Sequence, residues 1–332
     1  MFINLANERI FLAGHTGMVG SSILRKLKNH IKNFDKDNII FSPHRKELDL
    51  LDKQAVEKWF KNNKPSIVII AAAKVGGILA NNSYPASFLL ENIKIQTNII
   101  ESAWSNNIKR LLFLGSSCIY PKFSVQPIKE DYLLKGELEK TNQWYAIAKI
   151  AGIKLCDSLR IQYGFDSISL MPTNLYGPND NYHPSNSHVM AALIKRFGHA
   201  KQNLTNSITC WGTGTPLREF MHVDDLANAV IYVLENWNPE DKDSPKDDNG
   251  EKLFYLNVGT GIDISIKDLA KKIAKIYKYD GDILWDKSKP DGTPKKQLDI
   301  SRIKLLGWEP KIDLDNGLKD TIMDFKKHHL NK

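Results

Sequence analysis

Cysteine is scarce in this chain: Cys118, Cys156 and Cys210 are the only three among 332 residues. Thiols so few and so far apart form neither a disulfide framework nor a metal cluster, and they suit a reducing compartment. No apolar run approaches the roughly 20 residues of a membrane helix. The stretch before Arg9 lacks the basic region and long apolar region of a secretory signal, so a cytoplasmic protein with no membrane partner is expected. Arginine-rich and basic-aromatic blocks are also missing. The formal charge of +8 comes from scattered lysines and arginines, which argues against nucleic acid and for a small phosphate-bearing partner. There is no internal repeat and no coiled-coil register. With 42% apolar and 25% charged residues, the chain has the composition of an ordinary globular protein.

What is present is an alternation. Apolar runs of strand length at 9–13, 38–41, 66–72, 111–115 and 167–171 are separated by helical patterns at about 19–31, 52–62, 86–107 and 145–163. This predicts an α/β fold of the Rossmann type, a doubly wound parallel sheet covered by helices on both faces. After Pro172 the rhythm changes. Residues 176–216, rich in Asn, Pro, Gly and His, read as ligand-shaping loops with one helix at 188–200. A capped helix is expected from Asp224 or Asp225 to Asn236, and 237–252 reads as an exposed polar insertion. A strand at 253–258 and helices at about 265–278 and 315–328 complete a smaller C-terminal α/β lobe. The expected division is a dinucleotide-binding domain of 1–175 plus about 219–260, and a substrate lobe of about 176–218 plus 261–332.

The first strand runs into Gly14-His15-Thr16-Gly17-Met18-Val19-Gly20, and an apolar-periodic helix follows. Glycines between strand and helix permit a tight turn and close approach of backbone to a pyrophosphate, which then rests on the positive end of the helix. After the second strand the chain reads Ser42-Pro43-His44-Arg45-Lys46, with no carboxylate before Glu47 to bind a ribose 2′-hydroxyl. Basic residues there tolerate a 2′-phosphate, so NADPH is expected over NADH. Asp49 opens the next loop within reach of an adenine.

Past the fourth apolar run stand Ser116 and Cys118, and further on Tyr145 and Lys149. A Tyr and a Lys at i, i+4 share one helical face. An adjacent ammonium favours the phenolate and is expected to lower the Tyr145 pKa from its ordinary value of about 10, making it a proton donor. A reductase needs Ser, Tyr and Lys; the added Cys118 hints at a second proton-transfer step.

Together these segments resemble the extended short-chain dehydrogenase/reductase superfamily and, within it, the GDP-L-fucose synthase family. The match is carried further by Ala71-Ala72-Ala73-Lys74-Val75-Gly76-Gly77, Met171-Pro172-Thr173-Asn174-Leu175-Tyr176-Gly177-Pro178 and His183-Pro184-Ser185-Asn186-Ser187-His188-Val189. Trp211 to Phe220 and Ser288 to Pro294 add to it. The resemblance implies conversion of GDP-4-keto-6-deoxy-D-mannose to GDP-L-fucose by epimerisation at C3 and C5 and reduction of the C4 ketone with NADPH. It implies Ser116, Cys118, Tyr145, Lys149 and His188 as catalytic, with Cys118 and His188 the acid and base of epimerisation. For NADP it implies Gly14, His15, Thr16, Gly17, Met18, Val19, Gly20, Arg45, Leu114, Gly115, Ser116, Ser117, Lys149, Pro172, Thr173, Asn174, Leu175 and His188. For the GDP-sugar it implies Arg196 and Arg218 for anionic contacts, and Trp211, Asp291 and Lys296 near the nucleotide. Two departures are Thr16 and Pro43, where the family commonly carries basic residues. A homodimer is expected by the same resemblance. Alternatives are an epimerase/reductase of a GDP-6-deoxy-heptose and a non-catalytic NADP-binding regulator.

Overall fold

The computed structural model describes residues 3–31, 40–184, 186–289 and 291–330. Asn38 and Ile39 of the expected second strand, and Ser185 and Pro290 of the quoted segments, lie outside the described residues. The first half alternates as expected: β1 Ile10–Ala13, α1 Met18–His30, β2 Ile40–Phe41, α2 Lys53–Asn63, β3 Ile67–Ile70, α3 Ile78–Ser83, α4 Pro85–Ser105, β4 Arg110–Leu114, α5 Gln143–Tyr163 and β5 Ser167–Pro172. The second half contains β6 Asn174–Tyr176, α6 Val189–Gln202, β7 Ser207–Trp211, β8 Leu217–His222, α7 Val223–Asn236 and β9 Tyr255–Val258. It closes with β10 Asp263–Ser265, α8 Ile266–Tyr277, β11 Asp282–Asp286, β12 Lys295–Lys296, α9 Ser301–Leu305 and α10 Leu314–Phe325.

The main sheet has six strands in the order β2-β1-β3-β4-β5-β9, and every pairing is parallel. Every residue of β1, β3, β4 and β5 is buried. Unbroken apolar runs such as Ile67-Val68-Ile69-Ile70 become two-sided parallel strands because helices must cover both faces. α1 packs beside α7, and α4 beside α5. Because β2 and β3 flank β1 on opposite sides, the strand order reverses there and opens a crevice at the carboxyl ends, where ligands bind in such sheets.

The second lobe differs from expectation. Residues 176–216 carry the end of β6 and all of β7 as well as a helix, and β8, which follows, is the centre of a small sheet pairing with β6, β10 and β12. β7 pairs in parallel with β11; along it Ile208 and Cys210 point inward while Ser207, Thr209 and Trp211 point out. That alternation is a strand signal, but its partner lies more than 70 residues downstream, between Asp282 and Asp286. Phe197, Ile194, Leu269, Ile273, Leu318, Ile322 and Phe325 form this lobe's own core.

Three further details are corrections. The cap of α7 is His222, whose Nδ1 accepts from Asp224 N at 3.3 Å. Asp225 instead accepts the backbone N–H groups of Lys311 and Ile312 at 3.0 and 2.8 Å. The 237–252 segment is anchored and only partly exposed: Trp237 is buried and donates Nε1–H to Ser244 Oγ at 3.0 Å.

Two buried acidic groups join the halves of the molecule. Among the described residues no cation pairs with Glu219 on β8; its carboxylate accepts the N–H groups of Thr260 at 2.5 Å, Gly261 at 2.8 Å and Leu298 at 2.7 Å. Its backbone carbonyl accepts from Thr173 Oγ1 and from Asn174 Nδ2 at 2.8 Å. Glu130 accepts from Asn257 N at 2.9 Å and from Arg302 Nη1 at 2.8 Å, and the same guanidinium binds Asp131 and Asp248. Replacing Arg302 with Met leaves Glu130 and Asp131, whose side chains are 1% and 4% exposed, without a counter-charge. We expect a loss of about 3–5 kcal/mol, measured by urea unfolding; a loss within experimental error would show that this network is not structural.

Candidate active site

Gly14 leaves β1 at φ +90, and a Cβ there would lie 2.6 Å from Ala72 N and 2.8 Å from the carbonyl carbon of Ala71. The two strand ends therefore approach at backbone contact, which only glycine allows. A Cβ on Gly20 would collide with the Gly14 carbonyl, so helix and turn pack without side chains between them. Gly17 caps α1 without a side-chain bond, so no side-chain acceptor is spent on the first-turn N–H groups. Asn179 Nδ2 donates to Thr16 O at 3.0 Å and fastens the turn to the second lobe. The His15 ring lies edge-on to His44 at 4.7 Å. Burial, then the neighbouring His44, holds the His15 pKa below its ordinary value. Arg45 projects into solvent with Asp49 3.8 Å away. Asp49, expected near an adenine, caps its own loop at Leu51 N, 3.1 Å. This cradle fits a dinucleotide pyrophosphate: a left-handed glycine turn, a bare helix N-terminus and exposed basic groups past β2.

Ser116 follows β4 and caps a short 3-10 turn over Ser117–Ile119, its Oγ accepting from Cys118 N at 3.2 Å. α5 carries Tyr145 and Lys149 against this turn, with the Ser116 hydroxyl near enough to the Tyr145 phenol to favour its ionised form. Lys149 is buried; its Nζ donates to Leu114 O at 2.7 Å and stands 4.6 Å from the Phe113 ring centroid and 5.9 Å from that of Tyr145. The expected lowering of Tyr145 by Lys149 is not found. Burial first, and then the charge on Cys118, raise the phenol above its ordinary value, with only the nearby Ser116 hydroxyl opposing them. Burial brings Lys149 itself down to about 7, so near neutrality the ammonium is only partly present to favour a phenolate.

Cys118 is partly buried, and Lys296 Nζ lies 3.3 Å from its sulfur. Burial acts to raise the thiol, but Lys296, the Ser116 hydroxyl and Arg218 together bring it below its ordinary value. Sequence reasoning grouped Lys296 with the nucleotide; the structure brings it to the thiol, because β12 lies beside β8 with Lys296 opposite Arg218. Arg218 Nη1 donates to Leu217 O at 2.8 Å, and burial lowers its pKa. His188 caps α6 and is reached by solvent. The protein crowding its imidazole, and next the Lys296 charge, hold it below its ordinary value. A cavity beside Cys118 is also lined by Lys122, Glu139, Asn142 and Thr293. None of these four stands out in the sequence, since each is an ordinary polar residue in a loop or at a helix end.

Further out, Arg196 on α6 donates to Thr209 O. Trp211 is 55% exposed, with Lys289 Nζ 5.7 Å from its ring centroid. Asp291 was expected to offer its carboxylate to a guanine; both oxygens are already engaged by Thr213, at 2.7 Å from the backbone N and 2.8 Å from Oγ1. Among the described residues no group of His, Cys, Asp and Glu is arranged to hold a metal ion.

The parallel sheet, glycine turn and strand-end Ser-Tyr-Lys group define a Rossmann-type dinucleotide-dependent sugar-nucleotide enzyme of the short-chain dehydrogenase kind. Residues 10–246 match the NAD dependent epimerase/dehydratase family. GDP-L-fucose synthase 1 of Arabidopsis thaliana is 51% identical over 98% of this chain and 95% of its own length. GDP-L-fucose synthase of Escherichia coli (strain K12) is 50% identical over 97% of each chain. A GDP-mannoheptose C4 reductase from Campylobacter jejuni, solved with NADP bound, superposes with a TM-score of 0.85 at 37% identity over 97% of this chain and 99% of its own. The chain belongs to the NAD dependent epimerase/dehydratase family and, within it, to the GDP-L-fucose synthases.

The buried Lys149 gives a pH signature. Below about pH 7 both folded and unfolded chains hold the lysine proton, and the folded state carries the full cost of a buried ammonium. Between about 7 and the ordinary 10.5 only the unfolded chain holds it, so this group's contribution to stability improves as pH rises. Urea unfolding of wild type and Lys149→Met across that window should show wild type gaining relative to the variant. A difference independent of pH would show that Lys149 titrates normally.

Proposed function

We propose that this chain is an NADP-dependent epimerase/reductase that converts GDP-4-keto-6-deoxy-D-mannose to GDP-L-fucose. The observation that carries this reading is the meeting, at one strand end, of Ser116 and Tyr145 with Cys118 held against Lys296. The first pair serves a ketone oxygen, and the second serves proton exchange at the carbons beside it.

Gly14 to Gly20 would hold the pyrophosphate, Arg45 the 2′-phosphate, Lys149 the nicotinamide ribose, and Leu114 to Ser117, Pro172 to Leu175 and His188 the nicotinamide end. Bound NADPH supplies a hydride to the C4 carbon. Arg196 and Arg218 would take the substrate diphosphate, since guanidinium forks match phosphate oxygens, and exposed Trp211 would stack on the base. Asp291 serves through the turn it fixes at Thr213. The protons at C3 and C5 both flank the C4 ketone. Removing either leaves an enolate whose charge rests on the C4 oxygen, where Ser116 and Tyr145 donate hydrogen bonds. Cys118 and His188 exchange the carbon protons, one group removing and the other returning on the opposite face, so each centre inverts. After epimerisation Tyr145 gives its proton to the C4 oxygen as the ketone is reduced. Its raised pKa keeps that proton in place until negative charge develops on the oxygen.

A heptose substrate is the second reading, favoured by the structural likeness to the Campylobacter reductase. A C4 reductase alone has no need of a proton-exchange pair, so the Cys118–Lys296 contact supports the epimerising reading. We further propose a homodimer packed through α4 and α5, where Leu90, Ile147, Ile161 and Tyr163 present exposed apolar surface.

Purified protein should oxidise NADPH on addition of GDP-4-keto-6-deoxy-D-mannose and yield GDP-L-fucose, with NADH slower. No oxidation with either coenzyme, together with turnover of the heptose analogue, would move the assignment to the second reading. Tyr145→Phe should lower the reduction rate about 10²- to 10⁴-fold while still permitting exchange of solvent deuterium into the sugar. Cys118→Ser should abolish that exchange and leave direct ketone reduction measurable.

A further inference from the structure

The backbone around Lys296 is pinned on both sides. Pro294 O accepts Leu217 N at 2.9 Å, and Lys296 lies opposite Arg218 in the β12–β8 pairing. Gln297 N donates to Gln126 Oε1 at 2.9 Å and Leu298 N to the buried Glu219 carboxylate at 2.7 Å. The neighbouring Lys295 is neutralised by Asp263 at 3.1 Å. Lys296 has no carboxylate at ion-pair distance among the described residues, and its closest polar partner there is the Cys118 sulfur at 3.3 Å.

We infer that Lys296 is the positioning residue of the epimerisation step: its ammonium, held against Cys118, keeps that thiol as the thiolate base. The inference deepens the function proposed above and rests on it for the identity of the carbon acid. In the step itself a C–H bond beside the ketone breaks, an S–H bond forms on Cys118, and the electron pair moves to the ketone oxygen at Ser116 and Tyr145. The proton returned from the opposite face closes the balance.

The groups facing the sulfur make Lys296 the decisive one. Ser116, on its own turn, donates or accepts a single neutral hydrogen bond, and the Tyr145 phenol on α5 stays protonated. Arg218 on β8 acts in the same direction as Lys296 but more weakly, and His188 beside α6 is pushed toward its neutral form by burial first and then by the same lysine. Across the cavity Glu139 is paired with Lys122 at 2.8 Å, and among the described residues no carboxylate stands at ion-pair distance from Lys296. Burial opposes the thiolate. Lys296, by its charge and its contact, leads the groups that together outweigh burial, with Ser116 and Arg218 adding to it, as expected of an opposite charge held within about 4–6 Å where water is excluded.

The test needs no sugar. The pH dependence of Cys118 alkylation by iodoacetamide is followed in full-length wild type, Lys296→Met, Lys296→Gln and Lys296→Arg. Cys118→Ser serves as the blank, since Cys156 and Cys210 are buried. Wild type should titrate below the ordinary thiol value of about 8.5. Both neutral variants should titrate higher, with alkylation at neutral pH slowed roughly 10-fold or more, and Lys296→Arg should keep most of the wild-type behaviour. A wild-type midpoint at or above the ordinary value overturns the inference without reference to any variant, as does an unchanged midpoint in a folded neutral variant. Because alkylation reports on the resting thiol alone, failure of the GDP-sugar assay and failure of this titration are separate results.

Discussion

The arrangement of the whole site depends on the uncompensated buried carboxylate of Glu219. An ionised group without a counter-charge is tolerated in an interior only when hydrogen-bond donors replace its lost water, and here three backbone N–H groups do so, from Thr260, Gly261 and Leu298. Those donors come from the loop after β9 and from the segment following β12, while the carbonyl of the same residue holds Thr173 and Asn174 after β5. One residue thus ties the carboxyl edge of the main sheet to the small sheet beside it. Arg218, its neighbour in sequence, and Lys296, two residues before Leu298, are set against Cys118 as a consequence.

Around that junction each cation has a different task, decided by its surroundings. Lys149 is buried beneath Tyr145, donates to the Leu114 carbonyl and is lowered to about 7, so it positions more than it charges. Lys296 stands 3.3 Å from a thiol that water cannot fully solvate. Arg218 spends one nitrogen on the Leu217 carbonyl and another on the Asp291 carbonyl, which fixes the plane of its guanidinium at the edge of the cleft. The Tyr145 phenol, which retains its proton, stands on α5 against the short turn that carries the Cys118 thiol, which is held below its ordinary value. Opposite pKa shifts of this kind separate the reduction step from the epimerisation step, although both act on one ketone.

Although the strand at 253–258, expected in the C-terminal lobe, joins the main sheet as β9, the sequence by itself determined the first five strands of that sheet, the helices between them, the glycine cradle and the grouping of Ser116, Cys118, Tyr145 and Lys149. Local chemistry dictates these: four-residue apolar runs must be buried as parallel strands, glycine alone accepts the turn at residue 14, and i, i+4 spacing alone puts Tyr145 above Lys149. Only the tertiary structure decided the rest. β7 and β11 are short strands whose partners lie far apart in the chain, so alternation of five residues could not reveal their pairing. Asp291 reads as a free acceptor until the fold brings Thr213 to it. Lys149 reads as the charge acting on Tyr145 until burial removes much of that charge. Lys296 reads as one lysine of a pair in a loop, 178 residues from Cys118; the β12–β8 pairing and the Glu219 carboxylate turn it into the nearest charge to the reactive sulfur. Side-chain identity is local, whereas the field at an atom is a sum over whatever the fold places around it.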